Sequence, residues 1–227
     1  NNRQAQESLM VIEEVLCMRT NFNEELEELR RSVIQMGKSC RESIRSTCGL
    51  LSSRNKEELD EICEKSVKIS NMESLIETLC NRLLLLQQPV ATDLRQVSGS
   101  LKIAADLERI GINGGDIAEI LLTGETDRPC QLLLDIAGAS IEMLDKGLEA
   151  LENSDTALAR QVIDMDDKVD ELFVKFRNEL TQGLLKEGSL VDQLMIGKYY
   201  ERIADHVVNV AGWVIYIAEG KQVLNQK

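Results

Sequence analysis

Histidine occurs once in the 227-residue chain, at His206. That scarcity excludes a multi-histidine zinc site and leaves a serine or cysteine triad only one candidate base. The six cysteines, Cys17, Cys40, Cys48, Cys63, Cys80 and Cys130, never form a C-x-x-C pair, which excludes zinc-ribbon and thioredoxin chemistry. All but the last fall in helix-like apolar patterns, so buried, reduced thiols are expected rather than disulfides. The apolar runs at 83–86 and 215–218 are a fraction of the ~20 residues a bilayer span needs. Base is short as well: 26 Lys and Arg face 39 Asp and Glu, a net charge of −13. Nucleic acid and anionic membrane surfaces are therefore poor partners. Nothing at the start reads as a signal peptide, and the expectation is a cytoplasmic chain without membrane insertion.

Aromatic residues are only 3% and prolines only two, whereas hydrophobic residues reach 43% and charged residues 29%. Such a chain can bury a core and favours helices over sheets. Helical periodicity confirms the preference: Leu26, Leu29, Val33, Met36, Cys40, Ile44 and Leu51 recur at helical spacing. Helices are predicted over 23–51, 56–86, 90–122, 131–151, 155–186 and 190–220. Asn55 is placed to cap the second, and Pro89 suits the first turn of the third. The strongest linker signal is 123–129, which ends in Pro129. Residues 1–17 lack an initiator Met, and Met18 reads as a natural start, so 1–17 are set apart as an extension of unclear origin.

The second half repeats the first. Leu107-Glu108-Arg109-Ile110-Gly111 aligns with Tyr200-Glu201-Arg202-Ile203-Ala204 at an offset of 93, and Ile69 aligns with Val169 at an offset of 100. The seven-residue difference is close to two helical turns, so both faces stay in register. Long helices joined by short loops must pack antiparallel. The expected fold is all-α: two tandem antiparallel three-helix bundles, 18–124 and 125–227.

Two acidic pairs stand out in the second repeat. Asp166 and Asp170 are four apart on the fifth helix, and Glu201 and Asp205 are four apart on the sixth, which puts each pair on one helical face. Counting outward from Gly188 brings Asp170 level with Asp205. Carboxylates converging between two helices raise one another's pKa or recruit a cation, and all-oxygen donors favour Mg, Mn, Fe and, less strongly, Zn. His206 points about 100° away from Asp205 around the helix and is a second-choice ligand. Two other readings stand beside the metal: a solvated acidic stripe, and a hydrolase using paired carboxylates as acid and base. A ferritin-like di-iron centre is excluded, because it needs two Glu-x-x-His motifs. In the first repeat Ser66, Ser70 and Ile112 replace three of the four acids, and only Glu108 remains, so a metal site there is expected to be degraded.

The stretch Leu86-Gln87-Gln88-Pro89-Val90-Ala91-Thr92-Asp93-Leu94-Arg95 resembles the corner motif of the PhoU family of phosphate-uptake regulators. Asp106-Leu107-Glu108-Arg109-Ile110-Gly111 and Tyr200-Glu201-Arg202-Ile203-Ala204-Asp205-His206 are similar to its two repeat motifs. The likeness runs from about 18 to 220. It implies two three-helix bundles and a non-enzymatic regulator of phosphate uptake and homeostasis. In that family the protein links a phosphate ABC transporter, through its ATPase subunit, to a sensor histidine kinase, and represses starvation signalling when phosphate is plentiful. It further implies a divalent or ferric metal (Fe, Mn, Mg or Zn) held by Asp166, Asp170, Glu201, Asp205 and Asn209. A position at the inner face of the membrane would come through partners. Exposed apolar helix faces in repeats of this kind make a homodimer the expected assembly.

Overall fold

The structure, a computed structural model, describes residues 2–87, 91–124, 129–182 and 190–223, the side chains of 2–18, 86 and 87 excepted. Six helices account for nearly all of them: α1 (Asn2–Ser53), α2 (Lys56–Gln87), α3 (Ala91–Thr123), α4 (Gln131–Asn153), α5 (Thr156–Thr181) and α6 (Leu190–Glu219). The backbone of 2–17 continues α1 without a break. The fifth helix stops at Thr181 instead of 186, and 183–189 lie outside the described residues, as do Pro89 and most of the 123–129 linker.

Local chemistry sets the described corners. Arg54 leaves α1 with a left-handed φ of 48°, its N–H bonded 3.0 Å to the Leu50 carbonyl. Asn55 then caps α2: its Oδ1 accepts from the Glu57 N–H at 3.1 Å, and its Nδ2 donates to Glu58 Oε1 at 2.6 Å. Between α4 and α5, Ser154 is left-handed at φ 53°, and Asp155 Oδ1 accepts from the Ala157 and Leu158 N–H groups at 2.9 Å each. These two corners are the turns expected at 52–55 and 153–155.

Helices α1, α2 and α3 pack together, as do α4, α5 and α6, and the two bundles join through α3 on α6 and α1 on α4. All seven apolar positions that marked the first helix, Leu26 to Leu51, are buried. At the α1–α4 contact Arg45 Nη2 lies 2.6 Å from Asp145 Oδ2, and Lys38 Nζ lies 3.0 Å from Glu152 Oε1. One buried hydrogen bond also crosses between bundles, Thr47 Oγ1 to the Tyr200 hydroxyl at 2.9 Å. The five described thiols, Cys40, Cys48, Cys63, Cys80 and Cys130, are free, and burial pushes Cys40 and Cys80 up to about 12.

Close helix packing depends on small residues at a few points. A Cβ at Gly111 of α3 would fall 2.7 Å from Ile69 Cγ2 and 2.9 Å from Ile69 Cδ1, against a fully buried side chain of α2. Gly138, on the exposed side of α4, has nothing within 4 Å of the same position. Opposite outcomes are expected in urea denaturation. Gly111→Ala overpacks the α2–α3 contact and costs about 1–3 kcal/mol. Gly138→Ala restores helix propensity without a clash and gains about 0.5–1 kcal/mol.

Candidate functional site

The carboxylates named from spacing lie along the α5–α6 contact. Asp166 is 7% exposed and belongs to the interior face of α5, whereas Asp170, one turn on, is exposed. Glu201 is half-buried on α6, and the Lys198 ammonium is paired with it. The same ammonium sits over the Phe173 ring of α5, 5.3 Å from its centroid. Asp205 is exposed as a residue, yet its carboxyl lies low enough between the helices to lose part of its hydration. That desolvation pushes its pKa above the ordinary carboxylate value; the charges of Glu201 and Asp170 push further, while Lys198 and His206 oppose them. The level pairing of Asp170 with Asp205, expected from counting outward from Gly188, thus appears as mutual repulsion.

Asn209 goes elsewhere. Four residues turn a helix by about 400°, so each step of four slips about 40° around the axis. From Glu201 through Asp205 to Asn209 the slip is about 80°, enough to carry the amide onto the seam with α3. There Asn209 Nδ2 donates to Asp106 Oδ1 at 3.1 Å, and His206 Nδ1 lies 2.9 Å from the same oxygen. His206 therefore also faces the first bundle. The seam brings a second polar pair together: Tyr199 and Asp116 line one depression, and burial together with that carboxylate raises the phenol's pKa. At the repeat offset of 93, Asp106 corresponds to Tyr199 and Asp116 to Asn209. The two contacts are thus one pair of positions used twice, in exchanged roles, across antiparallel helices.

In the first repeat Ser66 Oγ donates to the Cys63 carbonyl at 2.8 Å, and Ile112 is half-buried. Glu108 is not isolated. Desolvation, then the charges of Glu108 and Glu77, raise the carboxyl pKa of Glu73. Glu73 and Glu77, one turn apart on α2, were not among the acids singled out from alignment, because they occupy different positions from Asp166 and Asp170. Lys198 and Tyr199 also escaped the spacing argument, and Asp106 entered it only as an acid near Glu108. The signals that could have found them are the i,i+3 spacing of Lys198 to Glu201 and the repeat offset.

The donors fit a hard cation by type, since carboxylate oxygens are what Mg, Mn and ferric ions take. By position they do not close around one. Glu201 is held by Lys198 and Asn209 by Asp106, and among the described residues no group of three or more His, Cys, Asp or Glu side chains is arranged to hold a metal ion. Among the same residues, no helix is long and apolar enough to cross a membrane.

Comparison with known proteins finds the model of the PhoU domain matching twice, at residues 33–121 and 133–214. The phosphate-specific transport system accessory protein PhoU homolog of Aquifex aeolicus is 36% identical over 209 residues, covering 89% of this chain and 95% of that one. Its namesake from Clostridium acetobutylicum is 33% identical over 210 residues, with 89% and 96% covered. Among solved structures, the phosphate transport system regulatory protein PhoU from Streptococcus pneumoniae superposes with a TM-score of 0.81 at 28% identity, covering 89% of this chain and 99% of that chain. PhoU from Pseudomonas aeruginosa gives 0.83 at 28% identity over 88% and 100%.

The crowding at Asp205 carries a sign that can be measured. Its folded-state pKa is raised, so the folded protein binds more protons than the unfolded one just above 3.8, and stability falls as pH rises through that window. At pH 7 the ionised Asp205 is a net cost. Asp205→Asn should raise the melting temperature at pH 7, and the gain should shrink as pH falls toward 4, followed by circular dichroism across a pH series.

Proposed function

The chain belongs to the PhoU family, and from that membership we propose that it is an accessory protein of a phosphate transport system. Its work is to bind partners rather than to turn over a substrate. The observation that carries this reading is the match of both three-helix halves, 33–121 and 133–214, to one domain model, among relatives named accessory proteins of phosphate-specific transport. The finer assignment is a cytoplasmic regulator that touches the ATPase subunit of a phosphate ABC transporter and a sensor histidine kinase. Through them it holds down phosphate-starvation signalling when phosphate is plentiful, and it reaches the membrane only through those partners. It works as a homodimer. The duplicated rod of helices suits such a role, since its two bundles offer two related but unequal surfaces to two partners.

The test is co-purification of the chain with that ATPase subunit and with the kinase, at high and at low phosphate. Association with the transporter ATPase in at least one condition is expected. No association with either partner at any phosphate level would remove the proposal.

A second reading concerns Asp166, Asp170, Glu201, Asp205 and Asn209 as ligands of a hard cation. The raised pKa of Asp205, caused in part by Glu201 and Asp170, is the observation that favours it. A cation would relieve that repulsion, but Lys198 must first release Glu201 and Asn209 must leave Asp106. Binding at 100-fold over Kd stabilises a folded chain by about 2.7 kcal/mol. Added Mn(II) or Fe(III) should therefore raise the melting temperature of the wild type and not of Asp166→Ala/Asp205→Ala. Equal melting with and without metal, together with no metal in protein purified without chelator, would show the acids to be a solvated stripe.

A further inference from the structure

We propose that the groove between α1 and α2 is a docking site for an amphipathic helix with acidic edges, supplied by a partner protein. The cavity is about 910 Å³. Its apolar floor is Ile34 of α1 with Met72, Ile76 and Leu79 of α2, and Leu75 stands at the lip, 71% exposed. Leu75, with Met72 and Leu79 on either side, forms a stripe at helical spacing, the kind of track into which a third helix lays its own ridge.

The fold does not require that stripe to be apolar. At the repeat offset of 100, the core positions Met72 and Ile76 have apolar counterparts, Leu172 and Phe176. The outer positions do not: Leu75 corresponds to Lys175, Leu79 to Glu179 and Arg82 to Gln182. One scaffold thus appears twice in the chain, wetted on α5 and apolar on α2. An exposed Leu75 beside a half-buried Leu79 costs solubility unless something covers the stripe.

Charge selects the occupant. The groove is lined by three cations, Arg31, Lys38 and Arg82, and one acid, Glu28, in a chain whose net charge is −13. Arg82 lies 3.2 Å from Glu25 and Lys38 lies 3.0 Å from Glu152, so both are held at the rim with nearly half their surface in solvent. A basic helix would be drawn to the acidic remainder of the molecule. An acidic one meets the repulsion of the net negative charge and finds cations beside an apolar floor along this edge. The inference goes beyond the phosphate-system reading and does not rest on it.

The test uses the full chain and two synthetic peptides of roughly 15 residues, long enough to cover the groove at ~1.5 Å per residue. Both carry leucines at i, i+3, i+4 and i+7; one is flanked by Glu and the other by Lys at the same positions. In fluorescence anisotropy the Glu peptide should bind, and the Lys peptide should bind at least about tenfold more weakly. Leu75→Lys/Leu79→Glu, which copies the residues of the second bundle and so suits the scaffold, should weaken the Glu peptide by at least about tenfold with melting unchanged. Arg31→Glu/Arg82→Glu should erase the preference between peptides. Equal affinity for both peptides, or binding untouched by Leu75→Lys/Leu79→Glu, overturns the proposal. Conversion of a dimer to a monomer by Leu75→Lys/Leu79→Glu in sedimentation also overturns it, because the occupant is then a second copy of the chain.

Discussion

The contact of α3 with α6 is the constraint on which the rest of the molecule depends. Each of these helices is the last of its own bundle, and each packs on two neighbours within that bundle and on the other across the seam. At this seam Gly99 of α3 lies against Ile217 of α6, so closely that a Cβ at that glycine would clash with the isoleucine. Its polar contacts then fix direction. Asp106 takes Asn209 and His206, while Asp116 meets Tyr199. Rising numbers on α3 meet falling numbers on α6, which a parallel packing cannot provide. The buried Thr47–Tyr200 hydrogen bond adds a third tie, from α1 to α6. A buried bond of this kind contributes only about 1 kcal/mol net, but leaving either hydroxyl unsatisfied costs more, so it discriminates against other dockings of the same two bundles.

That seam also divides the acidic stripe of α6. Glu201 and Asp205 turn toward α5, where they meet Lys198 and the charge of Asp170. Asn209, two steps along the same nominal face, turns toward α3. One helix thus serves two interfaces with one row of residues, because a four-residue step overshoots a full turn. The carboxylates that remain on the α5 side are strained electrostatically but not assembled. Lys198 tempers the repulsion, and its ammonium sits over the Phe173 ring at the same time.

The helices, the cap at Asn55 and the buried face of α1 were legible in the sequence, since period and capping chemistry are local properties. The duplication was legible too, and one domain model matches both halves. What escaped was everything set by docking one bundle on the other. Asn209 was expected as a fifth ligand from the family resemblance; in the folded chain its amide donates to Asp106, 103 residues away, a contact chosen by the seam. Lys198 escaped for a different reason. An i,i+3 ion pair is so common on helices that it carries no signal until the neighbouring ring and carboxylates are in place. In the first bundle, the eye followed alignment to Ser66 and Ser70 and so passed over Glu73 and Glu77, whose charges gather around Glu108 from shifted positions.

Duplication makes the differences between the halves more telling than the likenesses. Wherever the two bundles must do the same structural work, they agree: Ile69 with Val169, Ile76 with Phe176 and Leu107 with Tyr200 are all buried. Wherever a position faces outward, nothing in the fold forces agreement, and there the halves part. The second bundle crowds carboxylates along α5 and α6; the first has serines at two of those positions and places leucines on the outer face of α2. An excess of acid spread evenly would keep such a rod soluble and make both ends equivalent to any partner. The excess is instead uneven: cations stand beside the apolar groove of the first bundle, where Leu75 and Leu79 have Lys175 and Glu179 as their counterparts in the second. A duplicated scaffold that keeps its core symmetry while its surfaces diverge presents two unequal faces on one fold.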